Sequence, residues 1–317
     1  MRKFLITGGA GFIGSNFVIR MFERYPEIEI VVLDKLTYAG NLNNLKDIEK
    51  NPRFSFVNGD ICDKETCRKL IKNCDVVVNF AAESHVDRSI EDATAFIRSN
   101  FFGVFQLLEA CKKFEVKKFV QISTDEVYGS IGEGSFKETS LLNPSNPYAA
   151  SKASADMLAN SYFITYGVPV IITRSTNNYG PKQHIEKLIP KMITNAIQGK
   201  KLPIYGDGKN VRDWINVFDN CDGIDFILNK GKAGETYNIG GGNERTNIEI
   251  ANFILEALNK SKELIEFVKD RPGHDRRYSL DCRKIKKLGW EPKIKPMVGI
   301  KDTVKWYEKN EWWWKAT

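Results

Sequence analysis

The sequence predicts an α/β fold in which a doubly wound, mostly parallel sheet is followed by a smaller C-terminal lobe. Up to about residue 175, short runs rich in β-branched residues alternate with longer segments of helical periodicity. This pattern is typical of a parallel sheet with helices on both faces. A glycine-rich stretch at residues 8–14 follows the first of these runs. Beyond residue 175 the alternation weakens, and glycine, proline and charged residues become more frequent, which indicates a second lobe over the edge of the sheet.

Each predicted element depends on a local pattern. The strands are short apolar runs bounded by turn residues: Lys3–Thr7, Ile28–Leu33, Phe54–Asn58, Val76–Phe80, Lys117–Ser123 and Pro169–Thr173. The helices of the second lobe have apolar residues at helical spacing: Glu186–Gln198, Asp219–Asn229, Asn247–Asn259 and Met297–Asn310. The chain is therefore divided into a sheet domain, residues 1–175, and a smaller lobe, residues 176–317.

Length and composition are those of an ordinary globular protein. The chain has 317 residues, of which 42% are hydrophobic and 27% charged, values typical of a protein with a large core. The apolar stretch at the start is too short for a signal peptide, and no run approaches the ~18 apolar residues of a membrane helix. We therefore expect a cytoplasmic protein with no membrane partner. The six cysteines have no metal-binding spacing, so no metal site is expected.

The charge of the chain favours a small anionic partner only weakly. The formal net charge is +7, from 47 basic and 40 acidic residues. Basic pairs such as Lys112-Lys113 are interrupted by acidic or apolar residues and are typical of solvated faces. No basic stripe with interleaved aromatic residues is present, so nucleic acid is not an expected partner.

Three glycines after the first strand predict a dinucleotide-binding turn. Gly8, Gly11 and Gly14 have G-x-x-G-x-x-G spacing, which allows a tight turn and lets a pyrophosphate approach the N-terminus of the next helix. Asp34 lies at the end of the second strand, where a carboxylate can accept hydrogen bonds from a ribose diol. Because its charge would repel a 2′-phosphate, NAD is expected rather than NADP. Residues 1–175 are therefore interpreted as an NAD-binding Rossmann-type domain; a purely structural turn is the alternative.

Tyr148 and Lys152 form a candidate proton-transfer pair. They follow Asn146-Pro147, a typical helix start, and their four-residue spacing puts both side chains on one helix face. Lowering the pKa of a tyrosine from about 10 to neutrality takes ~4 kcal/mol. A lysine cation ~4 Å away supplies roughly that at an effective dielectric constant of about 20, so Tyr148 is predicted to act as a base. A pair on the helix surface is the alternative, which the glycine loop upstream makes less favoured.

Two adjacent acids follow a buried strand. Asp125 and Glu126 lie in the segment Ser123-Thr-Asp-Glu-Val-Tyr-Gly129, directly after an apolar run. Neighbouring side chains of a continuing strand point to opposite faces, so both acids can serve one site only if the strand stops and the chain turns there. The alternative is a solvated corner with two incidental acids. In a parallel sheet this strand end lies at the edge where ligands bind.

Several motifs, taken in order, resemble those of the nucleotide-sugar 4,6-dehydratases of the extended short-chain dehydrogenase/reductase family, in particular those that act on dTDP-glucose. Besides the glycine loop, the acid pair and Tyr148-Ala-Ala-Ser-Lys152, they are Asp34-Lys-Leu-Thr-Tyr-Ala-Gly-Asn41, Ala81-Ala-Glu-Ser-His-Val-Asp-Arg-Ser89, Asn177-Asn-Tyr-Gly-Pro181, Val211-Arg-Asp-Trp214 and Asp270-Arg-Pro-Gly-His-Asp-Arg-Arg-Tyr278. The resemblance covers nearly the whole chain. It implies an NAD-dependent hydro-lyase that makes a 4-keto-6-deoxy sugar from dTDP-glucose, in deoxysugar (rhamnose) biosynthesis.

The resemblance implies roles for five catalytic residues. Glu126 is implied to remove the C5 proton, and Asp125, kept protonated, to protonate the departing 6-hydroxyl. Thr124 is implied to hold the 4-oxygen beside Tyr148, which works with Lys152 in the oxidation of C4. The hydride then returns to C6, so the cofactor ends as it began. The reaction of a related UDP-sugar epimerase or decarboxylase has no departing 6-hydroxyl to protonate, and a non-catalytic NAD sensor needs none of these side chains. A dehydratase for another nucleotide sugar stays open.

The resemblance also implies two sets of binding residues. The cofactor set comprises Gly8, Gly11, Phe12, Ile13, Gly14, Asp34, Lys35, Leu36, Thr37, Asp60, Ile61, Ala81, Ser99, Tyr148, Lys152 and Asn178. The substrate set contains the basic and polar side chains expected around a nucleotide diphosphate; it comprises His85, Thr124, Asn177, Lys187, Leu188, Pro203, Tyr205, Arg212, Asn247, Arg271 and His274.

Two further segments predict contacts of the whole molecule. The segments 95–111 and 153–164 are apolar around more of their circumference than one sheet face covers. Two such helices from each subunit can form a four-helix seam, so a homodimer is expected, as in the family that the chain resembles. The Trp312-Trp313-Trp314 tail is expected to dock onto the body of the protein.

Overall fold

A seven-stranded parallel sheet is the central feature of the computed structural model, which describes residues 2–315. The strands are β1 (Arg2–Thr7), β2 (Ile28–Asp34), β3 (Phe54–Asn58), β4 (Val76–Asn79), β5 (Lys118–Thr124), β6 (Val170–Ser175), β7 (Asn177–Tyr179), β8 (Leu202–Tyr205), β9 (Val211–Asn216), β10 (Thr236–Ile239), β11 (Glu244–Thr246) and β12 (Ile265–Val268). The central sheet has the order β10-β6-β5-β4-β1-β2-β3, and each neighbouring pair is parallel.

The helices are α1 (Phe12–Arg24), α2 (Lys64–Ile71), α3 (Val86–Glu91), α4 (Thr94–Phe96), α5 (Val104–Phe114), α6 (Pro147–Tyr166), α7 (Leu188–Ile197), α8 (Val217–Lys230), α9 (Asn247–Ala257), α10 (Arg283–Lys287), α11 (Pro296–Lys309) and α12 (Glu311–Lys315). A π-helical segment, Ile97–Gly103, joins α4 to α5, and 3₁₀ turns lie at Leu42–Ile48, Asp125–Tyr128 and Lys262–Leu264.

The sheet is buried on both faces, which explains why its strands are almost continuously apolar. Along β1, Phe4 and Ile6 belong to the apolar cluster shared with α1 and α8. Leu5 points to the opposite face, where it joins the cluster shared with α2, α5 and α6. The doubly wound, mostly parallel Rossmann-type fold predicted from the sequence is therefore confirmed. The six predicted strands and the four predicted helices are also present, with ends that differ by at most two residues.

The chain returns to the central sheet after the smaller lobe has begun. Strand β10 covers the free edge of β6, and α8 packs on α1, where Arg20 pairs with Asp222 at 2.6 Å and Arg24 with Asp225 at 2.8 Å. Strand β10 and helix α8 lie after residue 175 and were therefore expected in the smaller lobe. They belong to the sheet domain instead, which corrects the predicted division. The cause is the unpaired edge of β6, since a parallel strand needs a partner for its backbone groups. With that exception, the division at residue 175 stays a proposal.

The smaller lobe has its own core. Helices α7, α9, α11 and α12 enclose an apolar cluster that includes Tyr179, Trp214 and Trp313. Two small sheets, of order β11-β9-β7 and β12-β8, complete this lobe. Among residues 2–315, no helix combines the length and the hydropathy that crossing a bilayer requires.

Candidate active site

The strand that carries the two acids stops directly before them. Strand β5 ends at Thr124, and the 3₁₀ turn Asp125–Tyr128 begins there, with the Thr124 hydroxyl accepting a hydrogen bond from the Glu126 amide at 3.3 Å. Because strand alternation has ended, Asp125 and Glu126 both line the same cleft. The alternative of a solvated corner with incidental acids is excluded for Asp125, which is only 3% exposed.

The two carboxyl groups have different surroundings. Burial, followed by repulsion from Glu126, raises the pKa of Asp125 well above its usual range. Its Oδ2 has no hydrogen-bond partner within residues 2–315. Glu126 is half-buried. Its Oε2 accepts hydrogen bonds from the Tyr278 hydroxyl and from the side-chain Nδ2 of Asn146, both at 3.5 Å. A protonated carboxyl group can donate a proton while its neighbour accepts one, so this asymmetry is what an acid and a base side by side require.

Tyr148 and Lys152 face the same cleft from helix α6. The side chain of Asn146 caps this helix by accepting from the Ala149 amide at 2.9 Å, and Pro147 occupies its first turn. Both Tyr148 and Lys152 are buried, and the Lys152 ammonium donates to the Ile122 carbonyl at 2.6 Å. Helix α6 therefore begins as predicted and holds both side chains beside the end of β5.

The pKa values of this pair differ from the sequence-based expectation. Burial and the nearby charge of Glu126 raise the pKa of Tyr148 above its ordinary value, while the Thr124 hydroxyl acts in the opposite direction. Burial lowers the pKa of Lys152 to about 8. The expectation was that Lys152 by itself lowers the pKa of Tyr148 to neutral pH. That expectation is wrong for the protein without a ligand, because it left out the cost of burying an ionised side chain. A base at Tyr148 needs additional positive charge in the cleft.

The glycine loop forms the other end of the cleft. Gly8 has φ +68°, and a Cβ on Gly14 would lie 2.3 Å from the Gly8 carbonyl oxygen, so neither position accepts a larger residue. Gly11 precedes α1 and provides no side-chain cap, which leaves the first amides of this helix available to a ligand.

Asp34 connects the glycine loop to the end of β2. One carboxylate oxygen accepts from the Ala10 amide and the other from the Leu36 amide, both at 2.9 Å. Burial raises the pKa of Asp34, although these amides oppose the shift. Next to it, the Lys35 ammonium pairs with Asp60 at 2.8 Å. These contacts fix the loop that follows β2 at the edge of the cleft.

The cleft runs from the glycine loop to the acid pair. The cofactor set lines it with one exception. Leu36 is not among the lining residues, and its side chain packs against the core between the sheet and α1 instead, because an apolar side chain at this strand end gains more by joining the core. Leu36 also adopts a left-handed backbone conformation, with φ 54°.

The residues of the cleft fit a dinucleotide. A glycine turn at a helix N-terminus suits a pyrophosphate, and Asp34 suits a ribose diol. Several buried polar atoms of lining residues have no hydrogen-bond partner in the described part of the chain: Thr176 Oγ1, Asn177 Oδ1, Asn178 Oδ1 and Gln183 Oε1. Buried polar groups are almost always hydrogen-bonded, so these atoms indicate that a polar ligand completes the site.

The substrate set is divided between the cleft and the adjacent lobe. Thr124, Asn177 and Lys187 line the cleft itself. The Lys187 ammonium donates to the Ser84 carbonyl at 2.6 Å, and burial lowers its pKa. The other members are outside the lining: His85, Leu188, Pro203, Tyr205, Arg212, Asn247, Arg271 and His274.

Asp87 is hydrogen-bonded to two of these outer residues, and a third packs against one of them. Its carboxylate accepts from the Tyr205 hydroxyl at 3.3 Å and from the Arg271 guanidinium at 3.4 Å. The ring of His274 lies edge-on to Tyr205, with centroids 6.2 Å apart. Pro203 precedes Tyr205 by two residues in β8.

The remaining outer residues lie at helix ends or on a strand. Arg212, in β9, stands 4.1 Å above the ring of Tyr278. His85 caps α3 and approaches Glu186 at 3.8 Å. Leu188 and Asn247 begin α7 and α9, and the side-chain oxygen of Asn247 is buried with no hydrogen-bond partner among residues 2–315.

Sequence reasoning missed several residues that the structure places at the site. Ala39, Gly40, Gly59, Glu83, Ser84 and His184 also line the cleft, and Tyr278 reaches Glu126 from the smaller lobe. Most of them lie inside or beside motifs that were recognised, so closeness to a motif was the available signal. Within the described chain, no group of three or more His, Cys, Asp or Glu side chains is placed to hold a metal ion.

Known proteins are similar to this chain over almost its full length. A family model described as GDP-mannose 4,6 dehydratase matches residues 5–303. The dTDP-glucose 4,6-dehydratase of Actinoplanes sp. is 49% identical, with 98% of this chain and 99% of that protein covered. The low-salt glycan biosynthesis protein Agl12 of Haloferax volcanii is 52% identical, with 96% of this chain and 97% of that protein covered.

A solved structure has the same fold. The dTDP-glucose 4,6-dehydratase of Streptomyces venezuelae, crystallised with NAD and dTDP bound, superimposes with a TM-score of 0.97 at 49% identity, and 99% of each chain is covered. The resemblance indicated by the sequence motifs is confirmed, and the chain belongs to the GDP-mannose 4,6 dehydratase family.

Proposed function

We propose that this protein is an NAD-dependent dTDP-glucose 4,6-dehydratase, which converts dTDP-glucose to dTDP-4-keto-6-deoxy-glucose. The observation that carries the proposal is the acid pair at the end of β5. Asp125 has a strongly raised pKa, and Glu126 is its neighbour in the same cleft as Tyr148. An enzyme that only oxidises C4 needs Tyr148 and Lys152, whereas loss of water also needs a base at C5 and an acid at O6.

The proposed steps divide the proton transfers among these side chains. When bound, NAD would supply the acceptor for the C4 hydride and the donor for C6, and its positive charge would favour ionised Tyr148. Tyr148 accepts the proton of the 4-hydroxyl, with Thr124 beside it. Glu126 then removes the C5 proton, which the 4-keto group has made acidic, while Asp125 gives its proton to the 6-hydroxyl, so that one water leaves. When the hydride is added at C6, Glu126 returns a proton to C5, which completes the 4-keto-6-deoxy product.

Binding is proposed to follow the two ends of the site. The cofactor set, without the Leu36 side chain, lies where the glycine loop and Asp34 meet the cleft. Lys187, Arg212 and Arg271 supply the positive charges that a nucleotide diphosphate needs. The group of Tyr205, Arg271 and His274 around Asp87 supports a location for the nucleotide end in the smaller lobe.

We propose further that the protein is a cytoplasmic homodimer. Large apolar side chains are exposed along the segment 97–102 and along α6, among them Ile97, Phe102, Met157 and Ile164, which are 58%, 43%, 65% and 72% exposed. A contiguous apolar face of this kind is typical of an interface with a second protein surface. Because both segments belong to one subunit, a two-fold axis can pair them into the predicted four-helix seam.

The experiment for this function is a panel of dTDP-, UDP-, CDP- and GDP-hexoses, each incubated with the protein and examined by mass spectrometry and NMR. Loss of one water from dTDP-glucose is the expected result. Loss of water only from another nucleotide sugar would identify the alternative dehydratase. Isomerisation without mass change, or loss of carbon dioxide from a uronic acid, would instead favour an epimerase or a decarboxylase.

A further inference from the structure

A buried ion pair lies behind the catalytic turn. Asp156 and Arg174 are 1% and 5% exposed, and the Arg174 Nε donates to Asp156 Oδ2 at 2.9 Å. Asp156 is on α6, four residues after Lys152 and eight after Tyr148, so the three side chains share one face of the helix. Arg174 is in β6, the strand next to β5 in the sheet.

This ion pair contacts Ser123, which lies two residues before Asp125. The Ser123 hydroxyl donates to the same Asp156 oxygen at 3.0 Å. Ser123 and Arg174 are opposite each other in the register of β5 and β6, so their side chains emerge on one face of the sheet. That face is the one covered by α6.

The same ion pair also contacts Tyr128, the last residue of the turn. Arg174 Nη1 donates to the Tyr128 hydroxyl at 2.8 Å, and its guanidinium lies 4.8 Å from the centre of the Tyr128 ring. The Tyr128 hydroxyl in turn donates to Asn238 Oδ1 at 3.0 Å, on strand β10. The segment Thr124–Val127 is therefore bounded at both ends by side chains bonded to one buried pair.

We propose that Asp156 and Arg174 are positioning residues, which act through Ser123 and Tyr128 to hold Asp125 and Glu126 in register with Tyr148. A short turn has few internal hydrogen bonds, so its orientation depends on how its ends are held. The pair connects that turn to the helix that carries Tyr148 and Lys152. Neither residue reaches the cleft lining, so neither is a catalytic residue.

This arrangement has a kinetic consequence that depends on the proposed dehydratase function. Oxidation of C4 uses Tyr148 and Lys152, which lie on α6, and only Thr124, beside Tyr148, belongs to the segment bounded by the ion pair. Elimination of water uses Asp125 and Glu126, which the turn holds. Displacement of a catalytic group by about 1 Å can cost about 10²-fold in rate, so a loosened turn should slow elimination more than oxidation.

The test uses variants that remove one contact of the pair and leave no unpaired buried charge. Ser123→Ala removes the hydroxyl at the start of the turn, and Tyr128→Phe removes the one at its end. In stopped-flow measurements after mixing with dTDP-glucose, each variant should accumulate absorbance of the reduced cofactor. Elimination should be about tenfold slower and C4 oxidation within about twofold of the unmodified protein, with partial displacement of the turn as the cause.

The matched control is Tyr237→Phe. Tyr237 is a buried tyrosine of the same sheet whose hydroxyl accepts from the Lys232 amide at 3.0 Å, away from the turn. Its variant should lower the melting temperature without changing the ratio of the two rates. If Ser123→Ala and Tyr128→Phe also leave this ratio unchanged, the proposal is overturned. Failure of the unmodified protein to release water from any nucleotide sugar would instead refute the dehydratase function.

Discussion

Asp125 and Glu126 differ because one is fully enclosed and the other is not. Asp125 has an oxygen with no hydrogen-bond partner in the described residues, whereas Glu126 accepts from Tyr278 and Asn146. Burial, followed by repulsion from Glu126, thereby raises the pKa of Asp125 well above its usual range. The difference comes from the turn at the end of β5, which directs one side chain inward and the other towards the smaller lobe.

The first prediction concerns the acid. Asp125→Asn keeps the shape of the side chain but cannot donate a carboxylic proton, so elimination should slow by about 10²-fold or more. Oxidation of C4 should continue, and reduced-cofactor absorbance should build up after substrate is added. Asp302→Asn, an exposed change on α11, is the control and should have no effect. Elimination at the unmodified rate would show that Asp125 is not the acid.

The second prediction concerns stability and pH. The raised pKa of Asp125 means that the folded protein holds this proton more tightly than the unfolded chain does. The contribution of this proton to the free energy of unfolding is complete below the pKa of Asp125 in the unfolded chain, about 4. It is lost as the pH rises towards the pKa in the folded protein, by at most about 1.4 kcal/mol per pH unit. Asparagine does not titrate. The melting temperature of Asp125→Asn relative to the unmodified protein should therefore rise with pH above 4; a difference that stays constant up to pH 8 would contradict the raised pKa.

At the scale of elements, the C-terminal tail is attached to the cofactor end of the cleft. Trp313 and Trp314 are buried, and the Trp313 indole donates to the Asn44 side chain at 2.8 Å. Asn44 also donates to the Ala10 carbonyl in the glycine loop at 2.9 Å. The expectation that the tryptophan tail docks onto the body is confirmed, and the site of docking is next to the glycine loop.

The third prediction follows from this docking. Trp313→Ala should lower the free energy of unfolding by about 3–5 kcal/mol, because it leaves a cavity in the core of the smaller lobe. Urea denaturation measures the change. The neighbouring Trp312 is 53% exposed, so Trp312→Ala is the matched control and should cost less than about 1 kcal/mol. Equal losses for both variants would mean that the tail does not dock through Trp313.

Strands and helices with longer sequence patterns were predicted more completely than those with short patterns. The six predicted strands and α6 have long apolar runs or a clear start signal, and these were sufficient to place them within two residues. Strand β10 is a run of four residues, Thr236–Ile239, in a segment rich in glycine and charge. Its identity as a strand comes from the open edge of β6, which is a property of the assembled sheet and leaves no local signal.

The candidate site was predictable to different extents at its two ends. The cofactor end is formed by contiguous motifs at strand ends, so every residue that spacing and resemblance predicted there, except Leu36, lines the cleft. The pKa of Tyr148 was not predictable from spacing, because burial depends on residues from several segments. The contact of Tyr278 with Glu126 joins residues 152 positions apart, and no pattern within either motif indicates it.

At the scale of the whole molecule, the exposed apolar face predicts a dimer. The fourth prediction is that the protein sediments as a dimer at micromolar concentration and that Met157→Lys shifts it towards monomer, since a buried charge without a partner is strongly unfavourable at an interface. Leu141 is 89% exposed in a loop outside this face, so Leu141→Lys is the control and should not change the sedimentation. A protein that is monomeric without any substitution would contradict the homodimer.

The most direct test of the proposed mechanism follows the hydride and the C5 proton in two labelling reactions. Because one cofactor serves both redox steps, dTDP-glucose labelled with deuterium at C4 should give a product with that deuterium at C6. Reaction of unlabelled substrate in heavy water should place solvent deuterium at C5, where Glu126 exchanges the proton. NMR or mass spectrometry of the product measures both labels. If the C4 deuterium stays at C4 or is lost to solvent, the protein does not carry out the proposed dehydration.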